Sequence, residues 1–330
     1  MLDVAPAFAQ NTFDPLTIGV GARALGMGKA YIAVAENADT IFNNPAGLGE
    51  ADAFELLSMS ANVLEDVNYS LLGGIYPMGE QSAIGIGYVR ASVGGIEVRN
   101  SAGTLQKTTS FSNSVTFLSY GRRVNEYFSW GLNLKYYSQN GYDVGTASGS
   151  GWNMDLGLLQ QGIGCFSFGL VGQNLISSNK ISSNAANENL PLSIKVGTRC
   201  FLLGEEFKAA FYSPWEVSIA ADADLSLQAA TPTTTHSGIE FSPNSYLTLR
   251  AGIDQDRQDN VIANNLTYGA SLHFAGVGFH YAYHAYGDLP GNANSYFSLS
   301  LSEQGWPLDR LPDSFLGEAA PAPVANLASL

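Results

Sequence analysis

Few residues in this chain have types and spacing suited to chemistry. His280 and His284 stand four apart, the spacing at which two histidines on one helical face share a zinc ion. Asp222 and Asp224 form a carboxylate pair, Cys165 and Cys200 are the only cysteines, and Gly19, Gly21, Gly26 and Gly28 invite comparison with a nucleotide-binding loop. Each of these fails on the element that must carry it. The histidines fall in a run that alternates apolar and polar, so they belong to a strand. There they lie about 13 Å apart, too far to share one ion, and are expected to be solvated. The two aspartates share one strand face with no base or nucleophile beside them. The glycine segment follows no strand, has the wrong spacing and precedes no βαβ unit. No Gly-x-Ser-x-Gly elbow and no Cys-x-x-Cys occurs. The expectation is therefore no enzyme, no metal and no cofactor. By strand parity Cys165 falls on the polar face and Cys200 on the apolar face, which makes a bridge doubtful and predicts two free thiols.

The elements that hold these residues are read from composition and period. Only 13% of the 330 residues are charged, against about a quarter in soluble globular chains. Hydrophobic residues make up 45%, yet no run of about 18 apolar residues could cross a bilayer as a helix. The 36 Gly, 16 Tyr and 17 Phe, with many Ser and Asn, favour strands. A net charge of -14, with only 15 scattered Lys and Arg, excludes a nucleic-acid partner.

Period two runs through the chain. Leu266, Tyr268, Ala270, Leu272 and Phe274 alternate with polar or small neighbours. After Ala275-Gly276 the pattern resumes at Val277, Phe279, Tyr281 and Tyr283, so a two-residue hairpin should pair Leu272 with Phe279 and Tyr268 with Tyr283. Such runs predict about fourteen strands, near 53–60, 67–77, 81–91, 111–122, 128–138, 152–159, 165–172, 192–202, 215–225, 236–241, 246–253, 265–274, 277–286 and 294–302. Short links alternate with long ones, except at 203–214. The fold expected is all-β: a transmembrane antiparallel up-and-down β-barrel of about 14 strands, its apolar face on lipid and its polar face around a hydrated lumen. A soluble sandwich is the competing arrangement, but its outer face would carry many Lys and Glu, where this one carries Ser, Asn, Gly and lone charges. The lumen charges are Lys135, Asp155, Lys195, Arg199, Asp222, Asp224 and Arg250.

Residues 10–50 differ in character. The stretch GARALGMGKAYIAVAENADTIFNNPAGLG is rich in Gly and Ala and is not a strand. Ala30 to Ala38 is expected to form a short helix that Asn43-Asn44-Pro45 ends. This pattern resembles the N-terminal signature of PorV/PorQ-type outer-membrane proteins, relatives of the FadL/TodX hydrophobic-compound transporters. Gly-Ala-Arg, Gly-Met-Gly, Ala-Val-Ala and Asn-Pro-Ala-Gly-Leu recur there in that order. The match is specific over residues 19–49 and rests elsewhere on length and strand number; Lys29 stands where that family often has a small residue. The resemblance implies a lumen plugged by an N-terminal hatch, with Arg23, Gly26, Met27, Gly28, Asn43, Asn44 and Pro45 as hatch or ligand residues. Arg23 and Glu36 are candidates to pair with Asp155, Asp222, Asp224, Lys195 or Arg250; the alternative is that these charges only solvate the interior.

Residues 1–9 read as the remnant of an export signal, with Ala7-Phe8-Ala9 as its cleavage site. Residues 51–302 would form the barrel. Residues 303–330 would form a periplasmic tail with Trp306, Leu311, Phe315 and Leu316 as anchors, or a disordered extension. The even strand number and the phase of the links place both termini in the periplasm of an outer-membrane protein with lipid around it, and the resemblance implies a hydrophobic small molecule that it binds or passes. The second reading is a PorV-like accessory that receives secreted proteins from a translocon.

Overall fold

The computed structural model describes residues 14–63, 66–141, 148–176, 180–183, 187–205, 208–227, 232–258, 261–287 and 292–303. The signal remnant and the four tail anchors lie outside them. The alternating runs become strands β1 (Glu55–Val63), β2 (Val67–Pro77), β3 (Ser82–Arg99), β4 (Leu105–Arg123), β5 (Phe128–Gly141), β6 (Gly149–Ile163), β7 (Phe166–Gln173), β8 (Lys180–Ser183) and β9 (Asn187–Asn189). They continue as β10 (Ser193–Gly204), β11 (Phe211–Tyr212), β12 (Glu216–Ser226), β13 (Thr234–Ser242), β14 (Leu247–Gln258), β15 (Val261–Phe274), β16 (Val277–Ala285) and β17 (Ala293–Ser302). Strands β8, β9 and β11 are short additions; the other fourteen pair antiparallel with their neighbours. The ring closes through β1 and β17, from Glu55 opposite Ser302 to Ala61 opposite Tyr296. Closure leaves no open edge among the fourteen long strands.

The hairpin at Ala275-Gly276 pairs Leu272 with Phe279 and Tyr268 with Tyr283. Both turn residues take positive φ, 49° and 79°, as a two-residue hairpin requires. The irregular link 203–214 holds β11, which runs parallel to the end of β10. Strands β3 and β4 outrun their expected limits, so the long link 92–110 shrinks to residues 100–104. There the ladder persists but alternation fades, because neither face has to select between two environments.

Most of the wall follows the expected parity: Asn265 and Thr267 are buried inside while Leu266 and Tyr268 are exposed outside. Outward aromatic residues include the Tyr120–Trp130 and Tyr136–Trp152 contacts. Trp130 and Tyr136 are six residues apart on β5, about 20 Å along the strand. Strand β1 reverses the rule. Leu57, Met59, Ala61 and Val63 are buried within the ring, and Ser60 and Asn62 face out. Alternation alone would have turned the oily row to lipid; ring closure turns it inward, to join Tyr69, Leu71, Ile75, Val89, Val115 and Phe117 in one apolar core.

Residues 14–50 thread this interior. Asp14 sits inside the ring, its carboxylate 3.5 Å from the Tyr137 hydroxyl, whereas β17 ends at the short-turn rim, where the Glu303 amide donates to Phe54 O at 3.0 Å. The helix expected at Ala30–Ala38 does not form. Ala35 and Asn37 are left-handed, with φ of 40° and 58°, and Asp222 takes the Tyr31 and Ile32 amides at 2.6 and 2.9 Å. Short helices form instead at Ala22–Gly26 and Thr40–Asn43. Asn44 ends the second of them in an extended conformation, its side chain accepts from the Ala46 amide at 3.1 Å, and Pro45 begins a 3-10 turn.

Candidate functional site

Space for the threaded segment comes from strand glycines. A Cβ on Gly131 or Gly157 would strike Pro45 or Asn44, and one on Gly238 or Gly252 would strike Met27. Backbone therefore lies against backbone where Gly26, Met27, Gly28, Asn44 and Pro45 cross the wall. The strand glycines that permit this fit were counted as β-composition in the sequence and carry no motif of their own.

Towards the short-turn end the segment is held by ionic contacts. Arg23 donates from Nη2 to Glu240 Oε1 at 2.9 Å and from Nε to Oε2 at 3.1 Å. It also pairs with Glu36 at 2.9 Å. Arg250 Nε lies 2.6 Å from Glu240 Oε2, Arg199 approaches Glu240 to 3.7 Å, and Arg199 also donates to Glu36. Three guanidinium groups thus surround two carboxylates. Burial opposes the charge on Arg23, but Glu240, Tyr31 and Glu36 outweigh it and raise its pKa well above the usual value. Burial would raise Glu36; Arg199 and Arg23 overcome that and hold it at about 2. Burial dominates at Asp39, with Arg23 and Arg250 as weaker counterweights, and pushes its carboxyl up to about 6.

A second set of ionic contacts lies towards the long-loop end. Lys29, in a left-handed conformation with φ 65°, places Nζ 2.8 Å from Asp254 and 3.0 Å from Asp256. Asp254 also meets His236 Nδ1 and His284 Nε2, both at 2.8 Å. The expectation of solvated histidines is corrected: His284 is buried against Asp254, and His280 is buried between Ser271 at 2.7 Å and Ser300 at 2.8 Å. Inward-facing strand residues meet a filled lumen, not bulk water. Asp254, Asp256 and His284 come close enough together to ligate an ion, but the Lys29 ammonium already lies between the two carboxylates and offsets one of their charges.

The remaining lumen charges divide among themselves. Lys135 pairs with Asp155 at 2.7 Å and donates to Asn174 Oδ1 at the same distance. Lys195 pairs with Asp224 at 2.9 Å. Of the partners expected for Arg23 and Glu36, none ion-pairs directly with either: Asp222 binds backbone amides, and Arg250 reaches Arg23 only through Glu240. Asn43 donates within its own turn, to Asp39 O at 2.9 Å. Glu240, the shared acceptor, was not anticipated, because the short run of β13 displays a lone carboxylate and no charge pattern. Both cysteines are free thiols, as expected, but the parity argument misplaces Cys165. Cys165 lies in the β6–β7 turn, outside strand alternation, and its Sγ is 2.6 Å from that of Cys200.

The lumen therefore has two walls. Strands β10 to β15 carry the charges that grip the segment. Strands β1 to β4 carry the apolar core, where Phe42 of the segment meets Phe117 edge-on with ring centroids 5.2 Å apart. Val63, Val67, Tyr69 and Ala91 extend this apolar wall towards the long-loop end.

No family model matches the chain, and no curated protein matches it. Among solved structures it is similar to the CymD monoaromatic hydrocarbon channel, with 17% identity over 87% of this chain and 97% of the other and a TM-score of 0.58. The toluene transporter TodX of Pseudomonas putida is 15% identical over 86% of this chain and 97% of its own, TM-score 0.58. A Pseudomonas aeruginosa FadL homologue is 12% identical over 86% and 98%, TM-score 0.55. At these identities the likeness is one of fold: a closed fourteen-stranded antiparallel barrel.

Proposed function

We propose that this chain is an outer-membrane barrel that passes a hydrophobic small molecule, with residues 14–50 as its plug and the short turns in the periplasm. The observation that carries the reading is the apolar inner wall of β1 to β4, which runs from the long-loop end down to Phe42 of the segment. An aqueous pore has no use for it, because water wets a polar lining better and a buried apolar lining excludes ions. A ligand moving along that wall exchanges one apolar surface for another, while the opposite wall keeps hold of the plug. The exposed apolar and aromatic side chains of the outer face and the low charge content support a bilayer setting, and the barrel shared with a hydrocarbon channel and a toluene transporter supports the ligand class.

The test is uptake by cells expressing the chain in their outer membrane, supplied with a radiolabelled monoaromatic hydrocarbon, a long-chain fatty acid or a hydrophilic sugar. Expression is expected to speed entry of an apolar compound and leave the sugar unchanged, and Val89→Asp, on the apolar wall, should cut the gain at least tenfold. Apolar entry that ignores expression overturns the reading. So does a deletion strain that loses protein secretion and keeps apolar uptake, which would instead support the translocon accessory role.

A further inference from the structure

The chain holds two cysteines in 330 residues, and the fold brings them together. Cys165 follows Gly164, whose φ of 61° turns the chain out of strand geometry and frees the Cys165 side chain from alternation. The Phe201 amide donates to the Cys165 carbonyl at 3.0 Å, and Cys200 is the ladder partner of Phe166. Backbone contacts on both sides thus fix the two Sγ atoms at 2.6 Å. Cys200 is buried and Cys165 half-buried, so a reagent reaches Cys165 first.

We propose that Cys165 and Cys200 become an intramolecular disulfide in the exported protein. The oxidant is the disulfide of an exported protein thiol oxidase. The Cys165 thiolate attacks one of its sulfurs, forming a mixed disulfide and releasing the other sulfur as a thiolate. The Cys200 thiolate then attacks Cys165 Sγ, the Cys165–Cys200 bond forms, and the oxidant leaves as a dithiol. Two electrons pass to the oxidant, and the two thiol protons are balanced by its two new thiols. The bond closes a ring over residues 165–200 and ties β7 to β10 at the short-turn rim. Only the supply of oxidant rests on the outer-membrane reading; the sulfur contact does not.

Full-length protein extracted from membranes in mild detergent is denatured with a maleimide and no reductant, and its intact mass is read before and after reduction. The expected result is no label, a mass lower by two hydrogens, about 2 Da, than the reduced chain, and two labels after reduction. Two labels without reductant, or a reductant-sensitive dimer, overturns the proposal. A second arm refolds the chain in detergent with a glutathione redox pair, where Cys165→Ser should leave Cys200 labelled once. A bond that forms only on refolding also overturns the proposal. That outcome places the fault in the compartment rather than the geometry, and the uptake assay tests the transport reading separately.

Discussion

Replacing Glu240 by Gln keeps the side chain's size and removes the charge on which three guanidinium groups converge. Glu240 takes two hydrogen bonds from Arg23 and one from Arg250, with Arg199 at 3.7 Å, and its side chain is 9% exposed. After the change the cluster keeps three cations against Glu36 alone, so its local charge rises from +1 to +2 in a setting with little water to screen it. Breaking one partner of a buried pair costs about 3–5 kcal/mol. The barrel ladder does not depend on these contacts, so the loss should fall on docking of residues 14–50. At about 1.4 kcal/mol per tenfold, the docking equilibrium weakens roughly 10²–10³-fold. Hydrogen exchange in detergent reads this directly: the amides of Leu25, Met27 and Ala35, bonded within the segment, should lose protection by that factor while those of β14 and β15 keep theirs. Less than a tenfold change in the segment, or an equal loss throughout the barrel, refutes the claim that Glu240 holds the plug.

Four further outcomes use the same readout. Asp39 has its pKa raised from 3.8 to about 6 by burial, so the docked segment binds a proton that the released one gives up. Docking is thus favoured fully below pH 4 and loses up to about 3 kcal/mol as pH rises to 6. Asp39→Asn should abolish that slope and tighten docking at pH 7, whereas an unchanged profile between pH 4 and 6 would exclude Asp39 as its source. Glu36, held at about 2, contributes in the opposite sense: its stabilisation is complete above pH 4.5 and fades as pH falls towards 2, so Glu36→Gln should flatten the acid limb of protection. Gly157→Ala puts a methyl group against Asn44 and Pro45. It should cost about 1–3 kcal/mol of docking, whereas Gly94→Ala, on β3 with open space around it, should leave segment protection intact. Lys29→Met leaves Asp254 without its ammonium and should cost about 3–5 kcal/mol; adding Asp254→Asn should recover part of it in a double-mutant cycle, and additive costs would show that the two do not interact.

By itself the sequence determined the fourteen long strands and most of the turns between them, though not the full reach of β3 and β4. Period two survives wherever the two faces of a strand meet different surroundings, so Leu266 to Phe274 and Val277 to Tyr283 could be paired residue for residue. It also set residues 19–49 apart as a small-residue segment unlike the strands. Which side of β1 faces inward was decided only by closure of the ring, because alternation cannot distinguish an oily lumen from an oily membrane. The identity of Arg23's partner was decided the same way. Glu240 is 217 residues away, and a lone carboxylate on a short strand gains its meaning only when the segment is threaded beside it. Contacts such as Cys165 with Cys200 and Lys29 with Asp254 likewise depend on turn geometry and on the height at which the plug is seated. Those are set by packing across the whole lumen, which no local window of residues contains.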